Sequence, residues 1–183
     1  FVKLFQRRIC SWLPADHHET WNQLVAEHQF LLTHHLCQGG ATRFHSVKNG
    51  LQHIHDGIVG VHDGVRPLVS VETIKRCFSG AATAGNAVPV VPAVESLRML
   101  QAEGASLAVK RSDFVLVQTP QCFQTEAMKL AFEQDYQDHF TDCASVMEAA
   151  GHRIHLVEGN PENIKITNPM DLVFAESYLG KSI

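Results

Sequence analysis

Positive charge is not in excess in this 183-residue chain: 15 Lys plus Arg stand against 19 Asp plus Glu, a formal net charge of -4. Without a basic face it does not read as a general nucleic-acid binder. A few local cations still suffice for a small anionic ligand. Long hydrophobic runs are also missing. None approaches the roughly 20 apolar residues that span a bilayer, so no membrane partner is expected. Cysteine is sparse and odd in number, with five at Cys10, Cys37, Cys77, Cys122 and Cys143 and no C-x-x-C pair. This argues against a disulfide framework or a zinc ribbon and fits a reducing cytoplasm. Each thiol is expected to act as a small, partly buried hydrophobe. No signal-peptide pattern is read in Phe1–Cys10 either, which holds Lys3, Arg7 and Arg8 but no long apolar core. With no initiating Met, the chain reads as the interior of a longer protein.

What is present suggests one globular domain. Apolar residues make up 45% of the chain, and the length suffices to bury a core without metal or disulfides. The 12 His invite a metal reading. However, His17-His18, His34-His35 and His53-x-His55 lack a carboxylate at ligand spacing, and adjacent His on a strand point to opposite faces. Surface histidines are the better reading.

Strand and helix patterns alternate along the chain. Ile9–Leu13 is an apolar run ended by Pro14. Asp16 is placed to cap a helix over His17–Phe30, with Trp21, Leu24, Val25 and His28 on one stripe. Leu31–Cys37 reads as a strand. Thr42 caps a helix whose apolar face is Phe44, Val47, Leu51 and Ile54. Gly57–His62 carries the mark of a central strand buried on both faces. Ser70 caps a third helix, with Val71, Ile74 and Phe78 inward. Ala87–Val91 is a further apolar strand. Pro92–Asp113 alternates weakly, turns at Glu103-Gly104 and reads as a two-stranded excursion, which is marginal alone and needs a surface such as a partner subunit. Phe114–Gln118 returns to the core as a strand. Thr125–Tyr136 and Thr141–Ala150 read as helices, the second stopped by Gly151. Arg153–Val157 and Asn163–Thr167 read as extended. Asn168 caps a last helix, with Pro169 at its first position and Gly180 past its end. The alternation predicts an α/β fold with a three-layer, mostly parallel sheet.

Ligands of such sheets bind beyond the carboxyl ends of the strands, which selects four polar clusters. Gly39–Ser46 leads two glycines into a helix N-terminus, offering backbone N–H groups to a nucleotide and Ser46 as a side-chain partner; alone, it is also a plain connection. In His62-Asp63-Gly64-Val65-Arg66-Pro67, Asp63 suits a magnesium-phosphate unit and Gly64 lets a ligand approach the backbone. Arg66 suits either a phosphate or Asp63 itself. Gln118-Thr119-Pro120-Gln121 offers a hydroxyl. Glu158–Thr167 carries Lys165 between Ile164 and Ile166, facing away from them. Thr141-Asp142 adds a hydroxyl at a helix start. Arg66, Arg111 and Lys165 with Ser46, Thr119 and Thr141 form a phosphate-reading set, and no Ser-His-Asp or Cys-His arrangement stands out. Phosphoryl or nucleotidyl transfer fits, since proteins contribute mainly position and charge to it.

Five ordered motifs carry a resemblance: G-G-x-x-R-x-x-S-V-x-x-G-L (Gly39–Leu51), V-H-D-G-V-R-P (Val61–Pro67), Q-T-P-Q-x-F (Gln118–Phe123), T-D-x-A-S (Thr141–Ser145) and V-E-G-N-x-x-N-I-K-I-T (Val157–Thr167). From about Leu13 to Leu179 the chain resembles the 2-C-methyl-D-erythritol 4-phosphate cytidylyltransferases of non-mevalonate isoprenoid synthesis. The resemblance implies a Rossmann-like nucleotidyltransferase sheet with a protruding β-arm. It implies a reaction of CTP with methylerythritol phosphate, a magnesium ion on the phosphates and a homodimer through the arm, residues 92–113. It assigns Gly40, Ser46 and Gly64 to the nucleotide, and Asp63 to the neighbourhood of the magnesium-bound phosphates without direct ligation. Lys165 would orient the attacking phosphate; Thr119 and Thr141 would hold the substrate, with Arg66 beside them. Ser96, where the family often has Thr, and Arg111 would reach the partner's site. Ribitol 5-phosphate as substrate, or a non-catalytic dimeric remnant, are the alternatives. The family's opening strand and Gly-rich loop with Arg and Lys find no match here. Ala41 stands where an acidic residue is frequent, and Phe5–Trp12 is more polar than the family's strand. A single domain over residues 1–183 lacking its first βα unit, with poor turnover on its own, is the expectation.

Overall fold

The structure, a computed structural model, describes residues 9–180. In chain order its elements are β1 (Ile9–Leu13), α1 (His18–Glu27), β2 (His34–Gln38), α2 (Arg43–Leu51), β3 (Ile58–Val61), α3 (Val71–Ala84), β4 (Asn86–Pro92), β5 (Arg98–Leu100), β6 (Ser106–Ala108), β7 (Val115–Val117), β8 (Gln121–Gln124), α4 (Thr125–Ala131), α5 (Cys143–Ala149), β9 (Leu156–Glu158) and α6 (Pro169–Gly180). The chain divides into two compact units: residues up to 57 with 125–150, and residues 58–124 with 151 onward. The expectations placed on Phe1–Arg8 and on the Cys10 side chain lie outside the described residues. Among the described residues no helix is long and apolar enough to cross a membrane.

In the first unit β1 and β2 pair in parallel, with Ser11 opposite Leu36. Asp16 does not cap α1. It lies inside a tight turn over Ala15–His17, one residue too early, and His17 precedes the helix without a side-chain bond. Of the predicted stripe, Trp21 and Val25 are half-buried while Leu24 and His28 are exposed. Strand β2 begins at His34, later than the apolar run suggests, because the His34 ring is tied to the preceding turn. Its Nδ1 lies 2.8 Å from the Leu32 carbonyl, and Trp21 Nε1 donates to its Nε2 at 2.9 Å.

Thr42 caps α2 as predicted, its hydroxyl accepting from the His45 N–H. Phe44 and Leu51 are buried on that helix. Phe44 stacks on Phe132 at 4.9 Å and on Phe140 at 5.8 Å between centroids. Both partners follow α4, which is therefore shorter than its sequence pattern: the chain leaves the helix to bring these rings back onto Phe44. Asp142 and Ser145 form a reciprocal capping box, so α5 starts at Cys143 and not at Thr141. Gly151, with a φ of 87°, follows its end.

In the second unit the strands run β3–β8–β4–β7, with β9 paired to β4. Strand β4, not β3, is central: Asn86–Pro89 are buried, whereas β3 sits at the edge of this sheet with Gly60 exposed. An apolar run reports burial but not which run lies in the middle. Pro89 is tolerated there because its N faces the junction where the neighbour of β4 changes from β8 to β7. Its carbonyl still accepts from the Gln118 N–H at 2.8 Å. Helix α3, capped by Ser70, packs Cys77 and Ala81 against Ala87 and Cys122, with Ile58, Phe78 and Val157 alongside. Its buried residues are Thr73, Cys77 and Ala81, while Val71 is exposed, so the inward stripe is rotated from the predicted one. Cys37, Cys77, Cys122 and Cys143 are thiols that form no disulfide among the described residues, the last three buried.

The α/β class stands, but the balance of strand directions differs from expectation. The β1–β2 and β4–β9 pairings are parallel, while β3–β8, β4–β7, β4–β8 and β5–β6 are antiparallel. The difference arises because Gln121–Gln124, to which the sequence pattern assigned no element, is a buried strand running back between β3 and β4. The excursion is a two-stranded ribbon as predicted, Met99 opposite Leu107, turning through Glu103 and Gly104 at φ 57° and 78°. Strand β7 is exposed along its length and not a core strand. Asn163–Thr167 forms no strand and is tied down by Ile166 N–H to the Val65 carbonyl at 2.9 Å. Asn168 caps α6, accepting from Met170 N–H and Asp171 N–H, and Gly180 is the last described residue of that helix instead of lying beyond it.

Candidate functional site

The second unit gathers four predicted residues from three segments. Asp63 and Arg66 follow β3, Thr119 precedes β8, and Lys165 follows β9. Asp63 Oδ2 lies 3.4 Å from Arg66 Nε and 3.8 Å from Lys165 Nζ. Lys165 is half exposed between the half-buried Ile164 and Ile166, the alternation read from the sequence. Arg66 is largely committed to the protein. Besides Asp63 it donates to the Asn163 carbonyl at 2.8 Å and the Val117 carbonyl at 3.5 Å. It is thus the loop clamp that the sequence left as one of two options. A Cβ on Gly64 would meet nothing within 4 Å, so open space faces that backbone.

Thr119 is buried, and its hydroxyl accepts the Asp63 N–H at 3.0 Å. It also lies 2.8 Å from His62 Nδ1, while His62 Nε2 lies 3.0 Å from the Arg66 carbonyl. Burial of the ring lowers the His62 pKa, outweighing the Arg66 carbonyl and the Asp63 carboxylate, which favour the imidazolium. Part of the residue nonetheless faces solvent.

Beneath this cluster lies a buried amide network. Asn160 Oδ1 accepts from the Ser70 N–H at 3.1 Å and the Thr73 hydroxyl at 3.0 Å, and its Nδ2 donates to the Leu68 carbonyl at 3.0 Å. Gln118 Nε2 donates to the Asn160 carbonyl at 2.9 Å, and Asn163 Nδ2 to the Thr119 carbonyl at 2.8 Å. Asn163 Oδ1 is buried without a hydrogen-bond partner among the described residues. Sequence reasoning passed over His62, Gln118, Asn160 and Asn163 as site-builders. The signal was their place inside the quoted motifs, next to the residues that were chosen.

In the first unit, the Gly40 N–H donates to Ser46 Oγ at 2.9 Å, and that hydroxyl donates to the Thr42 carbonyl at 3.0 Å. Ser46 thereby shapes the glycine loop. A Cβ on Gly40 would stand 2.8 Å from the His45 carbonyl carbon, so only glycine fits there. Thr141 is exposed, directly before the cap Asp142. Ser96 and Arg111 are exposed on the arm, where Arg111 donates to the Val94 carbonyl. Neither bonds to the Asp63 cluster among the described residues. No group of three or more His, Cys, Asp or Glu suited to a metal ion occurs among the described residues.

Comparison with known proteins gives a consistent picture. Residues 6–181 match the family model described as 2-C-methyl-D-erythritol 4-phosphate cytidylyltransferase. The enzyme of that name from Bacteroides fragilis is 50% identical over 168 residues, covering 91% of this chain and 76% of the relative. Its counterpart from Porphyromonas gingivalis is 48% identical over 169 residues, again covering 91% and 76%. The crystal structure of the Thermus thermophilus enzyme of that name superposes with a TM-score of 0.72 at 36% identity, over 80% of this chain and 74% of that one. A 4-diphosphocytidyl-2C-methyl-D-erythritol synthase from Anaerococcus prevotii, 21% identical, shares the fold with a TM-score of 0.83 over 94% of this chain and 78% of that one.

Proposed function

The chain belongs to the 2-C-methyl-D-erythritol 4-phosphate cytidylyltransferase family, and from that membership we infer that it is a CTP-dependent nucleotidyltransferase of isoprenoid biosynthesis. A phosphate oxygen of methylerythritol phosphate attacks the α-phosphorus of CTP. The new P–O bond forms as the α–β bridging P–O bond breaks, and pyrophosphate leaves with that electron pair. The products are 4-diphosphocytidyl-2-C-methyl-D-erythritol and pyrophosphate, with no covalent enzyme intermediate. Catalysis is then chiefly placement and charge.

The observation that carries this reading is the meeting of Asp63, Arg66 and Lys165 beside Thr119 at one end of the sheet. Lys165, half exposed and so able to meet a ligand, orients the attacking phosphate. Asp63 stands beside it, held by Arg66, and Thr119 faces the substrate. Gly64 takes the nucleotide along its open backbone. In the first unit Gly40 and Ser46 are assigned to the nucleotide, and Thr141 to the substrate. A magnesium ion would be carried by the phosphates of the substrate, with Asp63, paired to Arg66 and Lys165, near it and not a direct ligand. When bound it neutralises charge on the triphosphate.

A homodimer through the arm, residues 92–113, completes the proposal, with Arg111 and Ser96 serving the substrate of the partner copy. Apolar side chains exposed on the arm support it: Val94 is 75% and Leu100 84% exposed. Cys37, Cys77, Cys122 and Cys143, held as thiols and not in disulfides, support a cytoplasmic setting. Ribitol phosphate is not favoured, since the matched family and these relatives carry the methylerythritol name. Incubation with CTP and each alcohol phosphate, read by 31P NMR, is expected to give pyrophosphate and the cytidylated product with methylerythritol phosphate. Product from ribitol phosphate alone rejects the assignment.

A further inference from the structure

We propose that His62 is a positioning residue of this site. Its imidazole holds the Thr119 hydroxyl and the Arg66 carbonyl, and so sets Asp63 in place and leaves Thr119 as a hydrogen-bond acceptor for a substrate hydroxyl. The identity of the substrate rests on the functional reading above; the rest stands on geometry.

The need for such a tie follows from the strand ladder. Strands β3 and β8 pair from Ile58 with Gln124 to Val61 with Gln121. One step further His62 faces Pro120, which has no N–H, so the ladder cannot continue. Asp63 would be the next residue across from Thr119. Its N–H is taken instead by the Thr119 side chain, at 3.0 Å. The polar backbone of the loop is thus satisfied by side chains where sheet pairing fails.

Chemistry then fixes the direction of each bond. A carbonyl oxygen only accepts, so Nε2, 3.0 Å from the Arg66 carbonyl, carries the ring proton. The neutral ring has its lone pair on Nδ1, and the Thr119 hydroxyl 2.8 Å away donates to it. That hydroxyl has one proton, now committed, and one lone pair taken by the Asp63 N–H. What remains for a ligand is the second lone pair. It takes the O–H of a polyol and not a phosphate oxygen, which has no proton to give. The Arg66 carbonyl is held by the same ring while its guanidinium grips Asp63 and the Asn163 carbonyl. Removing the imidazole frees both ends of the His62–Arg66 loop at once.

Long-range 15N–1H correlation on the protein, with the His62 signal identified by its loss in His62→Asn, reads the tautomer directly. The Nε2–H form is expected, and an Nδ1–H form overturns the proposal. In steady-state kinetics, His62→Ala is expected to lower kcat/KM for methylerythritol phosphate about ten- to a hundredfold through misplacement of the loop. Both kcat and that KM change. His62→Asn, whose amide oxygen replaces the Nδ1 acceptor, is expected to recover most of the loss. A fall in kcat alone with that KM unchanged, or no recovery by Asn in a folded protein, overturns it. If the wild-type protein forms no cytidylated product, the functional reading fails, while the tautomer still decides the His62 geometry.

Discussion

Lys165 Nζ stands 3.8 Å from Asp63 Oδ2 on a side chain that is half exposed. Such a pair contributes about 0–1 kcal/mol to folding, so the residue is free to serve a ligand at little structural cost. Lys165→Ala is expected to leave the melting temperature within about a degree or two and to lower kcat about 100- to 1000-fold, as loss of a transition-state donor does. Steady-state assay beside calorimetry checks this; an unchanged kcat removes the role. Asp171 illustrates the opposite kind of residue, one whose charge serves the fold. Its carboxylate accepts from the Thr167 N–H at 2.8 Å, the Asn168 N–H at 3.0 Å and the Thr167 hydroxyl at 3.0 Å. The Thr167 N–H above all holds its pKa below the usual aspartate value. A depressed folded-state pKa means that the unfolded chain takes the proton first as pH falls. The stabilisation is therefore complete above the ordinary aspartate range and lost as pH drops through the lowered folded value. Asp171→Asn is expected to melt earlier than the wild type at neutral pH, and the gap is expected to close in acid. A pH-independent gap contradicts this sign.

At the scale of elements, α3 lies close on the sheet because of Gly80. A Cβ there would stand 2.9 Å from Ala87 Cβ and 3.2 Å from Val157 Cγ1, so α3 touches β4 and β9 almost backbone to side chain. Ala at that position gains up to about 1 kcal/mol of helix propensity. It also forces overpacking that typically costs about 1–3 kcal/mol. The second effect wins. Gly80→Ala is expected to lower the denaturation midpoint, by a net of about 1–2 kcal/mol from those two terms; a stabilised variant shows that the helix shifts without penalty. The same element is fastened at its start by Ser70 and by Asn160, which reaches the Ser70 N–H and the Thr73 hydroxyl from beyond β9. The site loop and the main helix are thus held by one amide network.

At the scale of the molecule, the ribbon of β5 and β6 presents Met99, Leu100 and Leu107 to solvent, and a two-stranded ribbon is marginal without a surface to cover it. A second copy of the chain is the expected cover. Light scattering is expected to give a dimer at micromolar concentration, and Leu100→Asp combined with Leu107→Asp is expected to give a monomer. A wild-type monomer at that concentration removes the arm from the proposed assembly.

Much of this was legible in the residue order. The caps Thr42, Ser70 and Asn168, the turn at Glu103-Gly104 and the strand tips bearing Asp63 and Thr119 are local facts, set by hydrogen-bonding groups within a few residues of one another. Lys165 beside Asp63 was legible only through the ordered motifs, because nothing local ties positions 102 residues apart. Two things needed the folded chain. Strand β8 hides behind Gln121 and Gln124, whose polar side chains mask a segment that is buried only because β3 and β4 flank it. The work of His62, Asn160 and Asn163 is likewise invisible in one dimension. Residue types determine which groups require partners, whereas long-range packing alone determines which partner each one meets.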